Sequence, residues 1–208
     1  MKKVLCFGDS NVYGFIPKNG QRYDKNTRWT GILEQYSHNK FDIIEAGCNN
    51  RTGFTDNPAG IQHTGYKILP SLLKNDLDCV ILAIGINDLQ KSYNNTPDLI
   101  KAGIEKLINI IKSGSPYAKI IIAAPSKISR NILNSCFAAM FDETSIEKSY
   151  LIGSIYEQAS KENGCSFIDL DKTASTSDID GLHYEPSEHK KIADKMYEIL
   201  NNIMELQE

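Results

Sequence analysis

Ser10, His183 and Asp180 are the residues of this chain best suited by type and spacing to catalysis. A serine hydroxyl is a weak nucleophile until a base takes its proton, and histidine is the usual base near neutral pH. Asp180 stands three residues before His183, so one turn can bring its carboxylate to the imidazole and stabilise the imidazolium. The pattern predicts a serine nucleophile activated by a histidine–aspartate pair, with Asp178 as the alternative carboxylate.

The other three histidines are weaker candidates for the base. We expect His38 at the end of a helix and His189 inside one, both with solvated side chains, whereas His63 lies in a glycine-rich loop and remains a candidate. Acyl transfer also needs hydrogen-bond donors for the developing oxyanion. Asn87, after Gly85, can supply its side-chain amide, unless it only forms a turn with its neighbouring aspartate.

Five short apolar runs predict the strands that must position these residues. They cover residues 4–7, 41–46, 79–84, 120–124 and 166–170 and lack strict alternation, as is typical of parallel strands buried on both faces. Apolar residues at helical spacing follow between them, over residues 29–36, 100–111, 150–159 and 192–203. Thr96-Pro97 and Pro186 predict two helix starts. The alternation predicts an α/β fold, with one domain over residues 1–208.

Ligands of open α/β sheets bind beyond the carboxyl ends of the strands, which is where the candidate residues follow. The irregular stretch over residues 125–149 contains Phe137, Met140 and Phe141. Two interpretations stay open: the stretch overhangs the site, or it is an ordinary surface excursion with a short helix.

Composition narrows the class of protein. The chain has 208 residues, is 41% hydrophobic and 24% charged, and carries a net charge of −3, which argues against disorder and against a nucleic-acid-binding protein. Residues 4–7 are too short an apolar run for a signal peptide or a membrane span. The five cysteines include no CxxC pair, and three lie in apolar runs. We therefore expect reduced thiols in a cytoplasmic protein without membrane contact.

These residues, in this order, resemble the SGNH (GDSL-type) hydrolase family. The matching blocks are Gly8-Asp9-Ser10, Gly85-Ile86-Asn87-Asp88 and Asp180-Gly181-Leu182-His183. The resemblance implies that Ser10 is the nucleophile, His183 the base and Asp180 its orienting carboxylate, with Asn87 in the oxyanion hole. It also implies a flavodoxin-like three-layer α/β/α sandwich with a five-stranded parallel sheet.

The chain departs from the family pattern at two positions. Asn11 stands where the GDSL label has leucine, next to an intact nucleophile. The second block of the family usually offers a glycine backbone donor, and the corresponding position here is Asn50, with Gly47 three residues earlier. Because that donor is a main-chain N–H, asparagine can supply it. The expected oxyanion hole therefore comprises the backbone N–H groups of Ser10 and Asn50 and the side chain of Asn87.

Within the family the chain is most similar to the arylesterase and acyltransferase (perhydrolase-like) branch. The similarity rests on Tyr13-Gly14-Phe15, Arg28-Trp29 with Gly31 and Leu33, and Glu45-Ala46-Gly47 before Arg51-Thr52. It implies a small-molecule ester substrate, acyl transfer as a side activity, no cofactor or metal, and a homo-oligomer. Tyr13, Phe15 and Trp29 are candidates for pocket walls, with a place in the core as the alternative.

Two other functions stay open from the residues alone. A metal-dependent phosphoesterase would use Asp9, Asp88, Asp180 and His183 as ligands, although no HxxxH or DxH spacing supports it. A non-enzymatic flavodoxin-like module would bind flavin or nucleotide. The loop after the first strand has one early glycine and the acidic Asp9, unlike a phosphate-binding loop.

Overall fold

Five parallel strands form one sheet in a computed structural model, which describes residues 1–205. The strands are β1 (Lys2–Gly8), β2 (Phe41–Gly47), β3 (Cys79–Ala83), β4 (Lys119–Ala124) and β5 (Ser166–Asp169), in the spatial order β2-β1-β3-β4-β5. Each observed strand lies within two residues of a predicted apolar run. The predicted five-stranded parallel sheet is confirmed.

Helices cover both faces of the sheet. They are α1 (Ser10–Tyr13), α2 (Trp29–Tyr36), α3 (Gly65–Leu72), α4 (Pro97–Gly114), α5 (Glu143–Asn163) and α6 (Pro186–Glu205). Alternate strand residues point to opposite faces: Leu5 packs in a core with α4 and α5, and Val4 in a second core with α2 and α6. The three-layer α/β/α sandwich is therefore confirmed.

Local sequence signals set most helix boundaries. Pro97 and Pro186 begin α4 and α6 as predicted, and the Thr96 hydroxyl accepts the Leu99 N–H. The helix predicted from residue 150 begins earlier, at Glu143, because Asp142 and Ser145 form a reciprocal cap. We did not predict α3, which is short and contains Pro70.

All five cysteines are free thiols, and Cys6 and Cys79 are fully buried in the sheet. Across residues 1–205, we find no helix with the length and apolar character needed to cross a bilayer.

The strand register brings three loops to one edge of the sheet. Gly8 at the end of β1 is level with Gly47 of β2 and with Ala83 of β3, so the loops after these strands leave the sheet side by side. Gly47 is required by a close approach, since a Cβ there would lie 2.1 Å from the Tyr13 backbone nitrogen. α1 can therefore cross directly over the end of β2.

The Asp88 side chain holds the loop that follows β2. Its buried carboxylate accepts the backbone N–H groups of Gly53, Phe54 and Thr55 at 2.5, 3.0 and 2.9 Å. Burial raises the pKa of Asp88 to about 6, while these N–H groups act to lower it. The carboxylate thus holds the loop that follows β2.

Replacing Asp88 with asparagine should destabilise the fold. The amide introduced by Asp88→Asn would present a donor to at least one of the three backbone N–H groups, so we expect the free energy of unfolding at pH 7.5 to fall by about 3 kcal/mol. Urea unfolding measures this change. Asp76→Asn is the matched control, because Asp76 forms an exposed ion pair with Lys3 and should have only a small effect. Equal losses for the two variants would contradict the anchoring role.

His189 lies in α6 and is fully buried, so the predicted solvated side chain is wrong. Its Nδ1 accepts the Trp29 backbone N–H at 3.3 Å, and its ring packs edge-on against Tyr23 and Tyr184. Its Nε2 has no hydrogen-bond partner among the residues that the structure describes. Burial, aided by the charge of His183, lowers the pKa of His189 to about 4. The packing of α2 against α6 therefore requires a neutral imidazole.

This burial should make the contribution of His189 to stability unfavourable in acid. The unfolded chain protonates His189 near pH 6.5 and the folded chain only near 4, so this residue removes about 3 kcal/mol of stability as the pH falls between those values. His189→Asn keeps an acceptor for the Trp29 N–H but cannot titrate. Between pH 7 and 4.5 we expect the free energy of unfolding of His189→Asn to increase relative to that of the native protein by about 3 kcal/mol, as measured by urea unfolding.

Two buried carboxyl groups change the stability with pH in the direction opposite to His189. The pH dependence of His189→Asn must therefore be compared with that of the native protein. Burial raises the pKa of Asp9 to about 7 and that of Asp88 to about 6, so the folded chain gains stability from both as the pH falls through these values. Both groups are present in the native protein and in His189→Asn. An identical pH dependence of the two proteins would refute the buried-imidazole interpretation.

Candidate active site

The structure brings Ser10, His183 and Asp180 into one chain of hydrogen bonds. The Ser10 Oγ lies 2.8 Å from His183 Nε2, and His183 Nδ1 lies 2.7 Å from Asp180 Oδ2. The three residues are 4%, 2% and 2% exposed. A hydroxyl that contacts an imidazole backed by a buried carboxylate can pass its proton to the ring as the oxygen attacks an electrophile.

Two short segments position this chain. Ser10 is the first residue of α1, directly after Asp9, whose carboxylate accepts the Asn11 N–H and caps the helix. His183 and Asp180 lie on a tight loop, in which the Ser177 backbone donates to the His183 carbonyl at 2.7 Å and accepts from the Gly181 N–H at 2.8 Å. Asn11 joins the two segments through its side chain, which donates to the Leu182 carbonyl. The nucleophile and the base are therefore held by contacts outside their own side chains.

Asp180, and not Asp178, is the carboxylate that contacts the imidazole. Its second oxygen accepts the backbone N–H groups of Leu182 and His183 at 2.9 and 3.0 Å. Burial opposes ionisation, but the hydrogen bonds and charge of His183 outweigh it and lower the pKa of Asp180 below its usual value. Asp178 is turned toward the surface, where it accepts from Asn131. An ionised Asp180 favours the His183 tautomer with its proton on Nδ1 and leaves Nε2 as the acceptor.

Three candidate oxyanion donors surround the same strand ends. The Asn87 side-chain nitrogen gives one hydrogen to the Arg51 carbonyl at 3.0 Å and keeps a second hydrogen. Asn50 adopts a left-handed backbone conformation, with φ of 56°. Among the hydrogen bonds of residues 1–205, none uses the backbone N–H of Ser10 or Asn50. These N–H groups are available to a ligand.

Two phenylalanines cover the imidazole. The Phe15 ring stacks on the His183 ring, with centroids 4.1 Å apart, and the Phe137 ring lies 5.2 Å from it. Phe137 belongs to the 3₁₀ turn Cys136–Ala139, so the stretch 125–149 does overhang the site. Trp29 is instead a core residue, 2% exposed, whose indole N–H donates to the Asn11 carbonyl.

The other candidates for the base and for the pocket wall do not contact the Ser10–His183–Asp180 chain in the hydrogen bonds and ring contacts of the described residues. His63 Nδ1 is 2.9 Å from the Asn49 carbonyl and lies near Cys48, and His38 is exposed after the end of α2. Tyr13 is half-buried, with the Arg22 guanidinium over its ring. Sequence reasoning missed Gln90, which contacts both Asn50 and Asn87, because no motif or spacing marks it.

The proposed phosphoesterase ligands do not assemble into a cation site. Asp88 directs its carboxylate to backbone N–H groups, and Asp180 directs its own to an imidazole and two N–H groups. Over the described part of the chain, there is no group of three or more histidine, cysteine, aspartate or glutamate side chains placed to hold a metal ion.

Comparison with known proteins agrees with this geometry. The GDSL-like lipase/acylhydrolase family matches the chain over residues 4–196. The aryl esterase of M. smegmatis superposes with a TM-score of 0.89 at 26% identity, covering 97% of this chain and 99% of that one. Est24, a carbohydrate acetylesterase from Sinorhizobium meliloti, superposes with a TM-score of 0.90 at 28% identity, covering 98% and 100%. No curated protein gives a significant match.

The family match spans nearly the whole chain, and both esterases are similar over their full length. The chain therefore belongs to the GDSL-like lipase/acylhydrolase family and is a serine ester hydrolase of the SGNH type.

Proposed function

We propose that the enzyme hydrolyses small acyl esters through an acyl-serine intermediate, with Ser10 as nucleophile, His183 as general base and Asp180 as the carboxylate that orients it. The observation that carries the proposal is the 2.8 Å contact between Ser10 Oγ and His183 Nε2. It joins residues from opposite ends of the chain in the geometry that serine activation requires.

The reaction begins when Ser10 Oγ attacks the ester carbonyl carbon and its proton passes to His183 Nε2. The carbonyl electron pair moves to the oxygen, and the resulting oxyanion is held by the backbone N–H groups of Ser10 and Asn50 and by the Asn87 amide. Collapse breaks the ester C–O bond, and the leaving oxygen takes the proton from His183. His183 then takes a proton from a water, which attacks the acyl-serine carbonyl carbon. The bond from that carbon to Ser10 Oγ breaks, Oγ regains the proton from His183, and the acid is released.

The esterases similar to this chain guide the substrate class. One acts on aryl esters and the other on acetylated carbohydrates, as their names state. We assign this enzyme a short acyl ester of an aryl alcohol or a carbohydrate, with acyl transfer to other alcohols as a side reaction. The Phe15 and Phe137 rings support a small acyl group, because they lie against the imidazole that contacts Ser10.

The wider assignment rests on the sequence and on the family resemblance. We propose a single domain over residues 1–208, of which 206–208 lie outside the described residues, acting in the cytoplasm without metal or cofactor. The net charge of −3 supports an enzyme that does not bind nucleic acid. Assembly as a homo-oligomer remains a prediction from the family resemblance.

Substitution of the three residues tests the mechanism. We expect Ser10→Ala and His183→Ala each to lower kcat for nitrophenyl acetate by several orders of magnitude, because these residues act as a unit. Asp180→Asn should lower it about 10³–10⁴-fold by favouring the wrong imidazole tautomer. A fluorophosphonate should label the peptide that contains Ser10.

Asp178→Asn is the matched control for Asp180→Asn, since Asp178 lies on the same loop but bonds to Asn131. It should retain native activity. Retention of hydrolysis by purified Ser10→Ala protein would refute the nucleophile assignment, and equal losses in the two aspartate variants would refute the assignment of Asp180.

The Phe15 and Phe137 rings should limit the length of the acyl group that the enzyme accepts. Phe137→Ala removes a ring 6.0 Å from Phe15 and 5.2 Å from His183, so we expect kcat/KM for the nitrophenyl butyrate to rise about tenfold relative to the acetate. An acyl-length series of nitrophenyl esters measures this ratio. Tyr150→Ala, which removes an exposed ring of α5, should leave the ratio unchanged. A native ratio in Phe137→Ala would contradict this role.

A further inference from the structure

We propose that Gln90 is a positioning residue that links two donors of the oxyanion hole. Its side-chain nitrogen donates to Asn50 Oδ1 at 2.8 Å and to Asn87 Oδ1 at 3.2 Å. One amide group therefore connects the loop after β2 with the turn after β3. The inference rests on the proposed function, because it assigns a role to Gln90 through the donors named there.

The surroundings of Gln90 leave its side chain little freedom. It is 5% exposed and follows the 3₁₀ turn Ile86–Leu89, and its own backbone N–H donates to the Asn87 carbonyl at 3.3 Å. A buried NH₂ group must place both of its hydrogens, since an unpaired buried donor costs about 1–3 kcal/mol. Asn50 Oδ1 and Asn87 Oδ1 each receive one of them, which satisfies this requirement.

Gln90 determines which way the Asn87 amide faces. Asn87 Oδ1 accepts from Gln90, and one hydrogen on Asn87 Nδ2 goes to the Arg51 carbonyl. The second Nδ2 hydrogen is left for an oxyanion. A flip of the amide would place its oxygen against the Arg51 carbonyl and would break the bond from Gln90. Gln90 thus favours the orientation in which Asn87 is a donor to the substrate.

Gln90 also restrains the Asn50 backbone N–H. Asn50 has φ of 56°, a conformation that asparagine tolerates better than most residues. Its carbonyl accepts from Asn57 at 2.7 Å, while its side chain accepts from Gln90. The residue is therefore fixed on two sides. A residue without a side-chain acceptor at position 50 would leave Gln90 with only one of its two partners.

Gln90→Met tests the proposal, because methionine has a similar shape and length but cannot donate. Misplaced donors should lower kcat for nitrophenyl acetate about 10–100-fold and leave KM little changed. This loss is at most as large as that expected when one donor is removed outright. Asn95→Leu is the matched control. Asn95 is a buried amide whose side-chain nitrogen donates to Thr55 Oγ1 and to the Asp88 carbonyl and to none of the three donor residues. It should lower Tm without lowering kcat.

Gln90→Glu adds a pH signature that a merely structural role would not produce. An ionised carboxylate cannot donate and repels the oxyanion, whereas the protonated form donates one hydrogen bond. The ratio of kcat in Gln90→Glu to kcat in the native enzyme should therefore fall as the pH rises through the pKa of the introduced carboxyl. This variant also serves the test if Gln90→Met does not fold.

A double-mutant cycle with Asn50→Gly tests the link itself. Asn50→Gly removes one of the two acceptors of Gln90, so its effect on kcat should be smaller than that of Gln90→Met. The double variant should resemble Gln90→Met alone, because the link to Asn50 is already absent there. Losses that multiply across the two single variants would overturn the proposal.

The outcomes separate this inference from the function on which it rests. Full activity in Ser10→Ala would remove the serine mechanism. An inactive Ser10→Ala together with native kcat in Gln90→Met, or with a pH-independent ratio for Gln90→Glu, would overturn the role of Gln90 alone. Loss of kcat in Asn95→Leu equal to that in Gln90→Met would reduce Gln90 to a general stability role and would overturn the proposal too.

Discussion

The hydrogen bond from Ser10 to His183 spans 173 residues of sequence, and the rest of the molecule is arranged around it. Ser10 begins α1, two residues after the end of β1, and His183 lies on the loop just before α6. β1, which leads to Ser10, is paired on both sides, and α6, which follows His183, packs in one core with Val4 of β1. The contact therefore depends on packing between distant segments and not on any local motif.

Buried polar groups at the carboxyl edge of the sheet are stabilised mainly by the backbone. Asp88 and Asp180 accept five main-chain N–H groups between them, three at the first and two at the second. An unpaired buried carboxylate would be costly, so these bonds allow buried charge at this edge of the sheet. The same bonds fix the loops after β2 and before α6. The hydrogen bonds that stabilise the two buried carboxylates therefore also hold the two loops in place.

Sequence reasoning failed where polar side chains decide the local structure. His189 lies three and four residues before the buried Ile192 and Ala193, so it shares the buried face of α6, and only its polar type suggested a solvated side chain. Trp29, Tyr23 and Tyr184 close around it. α5 begins before its predicted start because a cap at Asp142 acts ahead of the clear apolar pattern. Gln90 follows the GxND block without any motif of its own. In each case the deciding partner lies far away in sequence or is a polar group, which hydrophobic periodicity does not report.

The sequence by itself indicated the five strands and the candidate residues, because apolar periodicity and short motifs are local properties. The three-layer sandwich was expected from the family resemblance that those motifs carry. The tertiary structure decided which residues meet. It paired His183 with Asp180 and turned Asp178 outward, it placed Phe137 over the imidazole, and it joined Asn50 to Asn87 through Gln90. These contacts depend on strand register and on side-chain packing between distant segments, and a linear pattern of residues does not encode those distances.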